Sequence, residues 1–192
     1  MPDDLRLYEA GMHDMRRSLT PLLIGIAIGA TPVMAQAPQP AALGCKSPEH
    51  RQFDFWVGTW DVSPTGQDRV VARSVVENLY GGCVIRENWM PAAGTAGGSL
   101  NTFDPADNRW HQVWMDASNA RVLFDGGMID GGMVLTGNWR GAQKPGQDAL
   151  VRMTYSKLDG GAVRQKGEIS ADKGATWKPY FDFTYRPVAV PK

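Results

Sequence analysis

Histidine and cysteine are scarce in this chain of 192 residues, at three and two copies. The spacings that metal centres need are missing as well. No H-x-H, H-E-x-x-H or C-x-x-C occurs, and His50 and His111 lie far apart, so no metal is expected. Excess charge of either sign is also lacking. Twenty basic side chains balance twenty acidic ones, which leaves nothing to neutralise phosphates and excludes a polybasic nucleic-acid binder. No G-x-S-x-G is present and no serine sits in a nucleophile elbow, so a serine hydrolase has no anchor. The longest apolar run, 19–33, has 15 residues and two prolines, short of the roughly 20 that span a bilayer. No stretch between turn signals has room for a strand-helix-strand crossover, which excludes a parallel sheet.

What is present favours a packed β structure. Hydrophobic residues make up 43% and charged residues 21%, enough apolar material to exclude a disordered chain. Seven Trp, 22 Gly and 13 Pro imply many turns, few long helices and aromatic bulk as filling.

The first 35 residues read as an export signal. Met15-Arg16-Arg17 precedes the apolar run, and Val33-Met34-Ala35 places small or β-branched residues where a signal peptidase cuts. Cleavage near Ala35 is expected, giving a periplasmic or secreted bacterial protein with no membrane span in its mature part; a membrane anchor is the alternative. The acidic segment 1–14 reads as an over-extended start, with Met12 or Met15 the true one. Residues 36–47 form a Pro/Ala-rich linker, and 48–187 a single domain. Cys45 and Cys83 both lie in the exported portion, where an even pair reads as a disulfide worth roughly 3 to 4 kcal/mol. Ala42-Leu43-Gly44-Cys45 as a lipoprotein site competes with that reading.

Ser47-Pro48-Glu49 offers an N-cap residue, a proline at the first helical position and an acid in the first turn, so a short helical turn is expected over 48–52. Beyond it apolar residues recur at alternate positions. Ten strands follow: 55–62, 69–79, 84–90, 99–103, 110–116, 121–124, 133–139, 149–157, 162–170 and 177–185. Turn residues such as Asp107-Asn108, Gly131-Gly132 and Lys173-Gly174 separate them. The predicted fold is all-β, an antiparallel up-and-down meander that closes into a barrel to remove its sheet edges. A barrel of this strand number can hold an internal cavity.

Parity assigns faces within each strand. In 110–116, Trp110, Gln112, Trp114 and Asp116 share a face; in 83–89, Ile85, Glu87 and Trp89 do. If the Trp-bearing faces look inward, Glu87 and Gln112 enter with Trp89 and Trp114, and an apolar cup with a few polar groups is what a small-molecule site looks like. Glu87 is otherwise a solvated outer carboxylate. Gln165 and Asn101 join the candidate lining by the same parity. His111, well inside the strand region, is read as structural, and haem through it is not expected.

Gly58-x-Trp60 in the first strand of a meander barrel is similar to the calycin superfamily, the lipocalins, fatty-acid-binding proteins and their bacterial relatives. The resemblance implies that Trp60 closes one barrel end and is covered by an arginine from the last strand, for which Arg186 is the candidate. The stretch 45–185 also resembles a group of exported bacterial proteins, through F-x-F-W-x-G-x-W at 53–60 and W-x-Q-x-W-x-D at 110–116. That likeness transfers no reaction. Ser170-x-Asp172-x-Gly174-x-Thr176-Trp177 matches the Asp-box of sialidase propellers. One copy in a short chain is read as a hairpin device between strands nine and ten.

The leading expectation is an exported lipocalin-like barrel that binds a small, largely apolar ligand without a cofactor. An enzyme of the same fold, using Glu87 or Asp116 as acid or base in an isomerase, cyclase or hydratase reaction, is the alternative. A structural module of the envelope is the third. The oligomeric state is not legible.

Overall fold

The computed structural model describes residues 44–188. The export signal, the choice of start and most of the 36–47 linker therefore lie outside the described residues. Ten antiparallel strands run in sequence: β1 (Gly58–Pro64), β2 (Ala72–Leu79), β3 (Val84–Pro91), β4 (Gly97–Asp104), β5 (Arg109–Asp116), β6 (Arg121–Ile129), β7 (Gly132–Lys144), β8 (Gln147–Lys157), β9 (Val163–Ser170) and β10 (Lys178–Pro187). Each pairs with the next, and β1 also pairs with β10, with Val62 opposite Tyr185, so the meander closes into a barrel as expected.

Alternation builds the wall. In β8 Ala149, Val151, Met153 and Tyr155 are buried, while Leu150, Arg152 and Thr154 between them are partly exposed. The outward set pairs its charges across strands, Arg73 with Asp61, Arg86 with Glu77, Arg152 with Glu168 and Arg164 with Asp182, and Lys166 reaches Glu168 along β9. No described helix is long and apolar enough to cross a membrane. The β6–β7 turn falls one residue ahead of the expected Gly131-Gly132, because Gly132 already begins β7. Between β6 and β7, Asp130 and Gly131 take φ of 49° and 80°, the two positive angles of a type I′ turn that matches strand twist.

Several boundaries differ from expectation: β2 starts at Ala72 and not at 69, and β7 runs on past 139 to Lys144. The predicted first strand begins at Phe55, but Asp54–Trp56 is a 3-10 turn following the expected one at Pro48–Arg51, and β1 starts at Gly58. Strand six, expected to stop at Phe124, runs on through Gly126 to Ile129. A side chain at Gly126 would collide with the Val134 carbonyl of β7, so this glycine permits a close backbone approach inside a strand instead of a turn.

The two 3-10 turns plug one end of the barrel. Phe53 stacks on Trp56 at 5.0 Å and meets Trp110 and Tyr155 edge-on at 5.6 and 5.0 Å. Trp60 Nε1 donates to the Trp56 carbonyl at 3.0 Å. Ser47 does not cap the backbone; its hydroxyl bonds His50 Nδ1 at 2.9 Å. The Cys45–Cys83 disulfide is formed, pinning this arm to the start of β3. Arg51 ties the same junction by donating to the Cys45 carbonyl at 3.1 Å and to the Gly82 carbonyl.

Arg186 does not cover Trp60. The register sets it opposite Asp61 on the outer face, where it lies 3.8 Å from Asp68. Its neighbour Tyr185 points inward and meets Trp60 edge-on at 6.3 Å. One step along a strand reverses the face, so the tyrosine fills the place expected of the arginine.

Candidate functional site

Above the plug the barrel is hollow, with a cavity of about 330 Å³. Its floor is polar and buried: Glu87 from β3, Gln112 from β5, Tyr155 from β8, Gln165 from β9 and Tyr185 from β10. Its mouth is aromatic and partly exposed: Trp89, Trp114, Trp139, Phe181 and Phe183. Phe124 and Met153 complete the buried wall. The side chains arrive there because period-two alternation aims one residue in two inward on every strand.

The floor groups form a connected chain. Ser74 Oγ donates to Glu87 Oε1 at 2.9 Å, and Tyr185 Oη lies 3.4 Å from the same oxygen. The Tyr185 hydroxyl donates to Gln165 Oε1 at 2.7 Å, and Gln165 Nε2 donates to Tyr155 Oη at 2.8 Å. Gln165 Nε2 also reaches Met153 Sδ at 3.3 Å. Gln112 Nε2 donates to Asn101 Oδ1 at 2.7 Å.

Glu87 is 5% exposed. Burial pushes its carboxyl up to about 7, against the opposing pull of hydrogen bonds from Ser74, Tyr185 and Ser99. Burial, then the Glu87 charge, raises both Tyr155 and Tyr185 well above the ordinary phenol, so these hydroxyls stay neutral.

Of the six residues read as ligand contacts, Glu87, Trp89, Gln112, Trp114 and Gln165 line the cavity. Asn101 does not. It is fully buried, donating to the Ile85 carbonyl at 2.9 Å and to Ser99 Oγ at 3.1 Å, and its own oxygen holds Gln112. Parity settles which face a residue takes but not its height along the barrel axis, and Asn101 lies beyond the cavity wall. Asp116 is also outside. It anchors the β5–β6 turn, accepting from Ser118 N and Ala120 N, and takes the Trp114 indole N–H at 3.0 Å. Burial acts against its charge, yet the hydrogen bonds from Ser118, Trp114 and Ala120 hold it below the usual carboxylate range.

His111 faces outward between Asp125, 2.6 Å from Nδ1, and Asp107, 3.0 Å from Nε2. Burial works against its charge, but these hydrogen bonds outweigh it and raise the imidazole. Asp104, Asp107 and His111 bring potential ligand atoms within 4.8 Å of one another. Asp104 and Asp107 already accept from Ala106 N and Arg109 N in the turn they form.

The Asp-box residues build the β9–β10 turn. Ser170 Oγ donates to Asp172 Oδ1 at 2.7 Å and accepts from Gly174 N at 2.8 Å. Asp172 Oδ1 accepts from Thr176 N at 2.8 Å, and the Thr176 and Ser170 bonds hold this carboxyl down at about 2. Trp177 packs under the Arg152 guanidinium at 4.1 Å.

Eight lining residues were not among the six candidates: Phe124, Trp139, Met153, Tyr155, Tyr180, Phe181, Phe183 and Tyr185. The alternation Phe181-x-Phe183-x-Tyr185 is a period-two signal that places all three on one face. No protein-family model matches the chain, and no curated protein matches it.

Proposed function

We propose that this barrel is an exported binding protein, lipocalin-like in kind, that takes a small and largely apolar molecule into its cavity. The observation that carries the reading is an aromatic mouth over a hydrogen-bonded floor around about 330 Å³ of space. That volume sits at the small end of ligand sites. At roughly 30 Å³ per water molecule, it suits a compact occupant of one or two rings. Export is supported by the Cys45–Cys83 disulfide, a bond of oxidising compartments, together with the apolar leader. The calycin likeness is supported by the closed meander and by Trp60 at its plugged end.

The test is titration of intrinsic Trp fluorescence with a panel of one- and two-ring compounds, indole and naphthol among them. Saturable quenching that weakens in Trp114→Ala is expected. A panel that leaves emission unchanged, with no heat in calorimetry, would remove the reading.

A second reading, proton transfer by Glu87, is favoured by a carboxyl at the cavity floor that titrates near neutrality. Deuterium incorporation from solvent into a small enolisable ketone, lost in Glu87→Gln, is its expected signature. A ketone left unlabelled by the wild-type protein would dismiss it.

A further inference from the structure

Resting on the cavity-binding reading, and deepening it, we infer that the preferred occupant is a compact organic cation. It would seat a protonated amine against Glu87 and its hydrocarbon body among Trp89, Trp114 and Phe183.

The first argument is charge. Glu87 is the one Asp, Glu, Lys, Arg or His side chain among the described residues lining the cavity. An anionic ligand would meet a carboxyl and no counter-charge in a place where water screens little. A cation would meet its counter-ion.

The second is the accounting of donors and acceptors on the floor. Gln165 Nε2 is spent on Tyr155 Oη and Met153 Sδ. Gln112 Nε2 is spent on Asn101 Oδ1 at 2.7 Å. The one proton of Tyr185 is directed to Gln165 Oε1 at 2.7 Å, much closer than Glu87 Oε1 at 3.4 Å. The Trp114 indole N–H is turned to Asp116, so this ring offers the ligand its carbon framework. The Tyr155 proton is directed to the Met153 thioether at 3.7 Å. What the floor keeps in excess is the acceptor capacity of the Glu87 carboxylate, and an ammonium group supplies three donors and no acceptor.

The third is the wall. Trp89 lies 5.8 Å from Phe183 and 6.4 Å from Tyr185, ring centre to ring centre, which concentrates aromatic rings beside the carboxyl. Ring faces attract a cation, most when it is desolvated. The buried carboxyl is otherwise relieved by taking up a proton, and an ammonium partner does the same work while leaving it ionised.

The groups packed around Glu87 are Ser74 on β2, Ser99 on β4, and Tyr185 on β10, with Tyr155 on β8 near enough to feel its charge. None is a second carboxyl or a base. Amine binding therefore follows the ionisation of Glu87, while an alkylamine itself stays protonated up to about pH 10.

The experiment compares three probes of one shape on the intact protein by calorimetry: 2-phenylethylamine, 2-phenylethanol and phenylacetate. The amine is expected to bind about tenfold or more tighter than the alcohol, and phenylacetate weakest. Between pH 6 and pH 8 the amine affinity is expected to rise and the alcohol affinity to fall or hold. At pH 7 the amine heat should depend on the buffer's ionisation enthalpy, reporting release of a proton. Glu87→Gln should collapse the ratio of amine to alcohol affinity, and the pH series needs no variant if that protein fails to fold. Alcohol or phenylacetate binding as tightly as the amine would overturn the cation preference while cavity binding stands. So would an amine affinity that is flat with pH. Failure of all three probes overturns the preference if neutral compounds of the fluorescence panel bind, and overturns cavity binding too if they do not.

Discussion

At the scale of single residues, Glu87 couples the cavity to stability. Burial lifts its carboxyl from 4.5 to about 7. Between those values the folded protein holds a proton that the unfolded chain has released, so stability falls as pH rises from about 4.5 and the full penalty is present above about 7. At 1.36 kcal/mol per unit the cost is on the order of 3 kcal/mol. Gln at this position mimics the protonated acid at every pH. Glu87→Gln should therefore match the wild type in urea denaturation near pH 5 and exceed it near pH 8; an equal difference at both pH values would assign the titration elsewhere. The location of Glu87 was legible because Ile85, Glu87 and Trp89 obey a local period of two. The distinction between Asn101 and Gln112 was not. They are direct partners across β4 and β5, and only the three-dimensional height of the cavity separates a lining residue from its support. Tyr185 was legible in principle, through its alternation with Phe181 and Phe183. The covering arginine that the calycin likeness implies selects Arg186 instead, one step away and on the other face.

Among the elements, the N-terminal arm shows why a pattern of two can mislead. Phe53 and Phe55 alternate like a strand, but Phe53 and Trp56 are the pair that is fully buried. A spacing of three matches the 3-10 repeat, which eclipses such residues on one side. The turn therefore carries a plug, not an extension of β1. Holding it falls to the disulfide and to Arg51. With the cysteines 38 positions apart, replacing both by serine is expected to cost about 4 kcal/mol in the chain-entropy account. Arg51→Ala removes donors to two carbonyls and should cost on the order of 1–3 kcal/mol. Both act on one arm, so the combined variant should lose less than the sum. Denaturant midpoints for the two changes and their combination measure this; strict additivity would mean that Arg51 does not share the arm with the bridge. The extension of β6 through Gly126 was hidden for a related reason. A glycine marks a turn and a close strand crossing with the same letter, and only the nearness of the Val134 carbonyl tells them apart.

For the whole molecule, closure by β1 and β10 turns a meander into a vessel with unlike ends. Consecutive pairing and closure were legible from strand count, short turns and the cost of bare edges; which end is filled was not, because it depends on where the plug docks. The plugged end holds the dense aromatic packing, with Trp56 fully buried against Tyr155 at 4.8 Å and Tyr185 at 6.1 Å. The mouth holds partly exposed rings with space between them. Stability and binding should therefore separate by position along the axis. Trp56→Ala is expected to cost about 3–5 kcal/mol by emptying a packed site, and to loosen the floor tyrosines that rest on it. Trp114→Ala, at the mouth, is expected to cost about 1 kcal/mol or less while weakening ligand affinity several-fold. Paired urea denaturation and ligand titration of the two variants make the comparison. If Trp114→Ala unfolds the protein as readily as Trp56→Ala, the mouth is part of the core and the division between a sealed end and a receiving end does not hold.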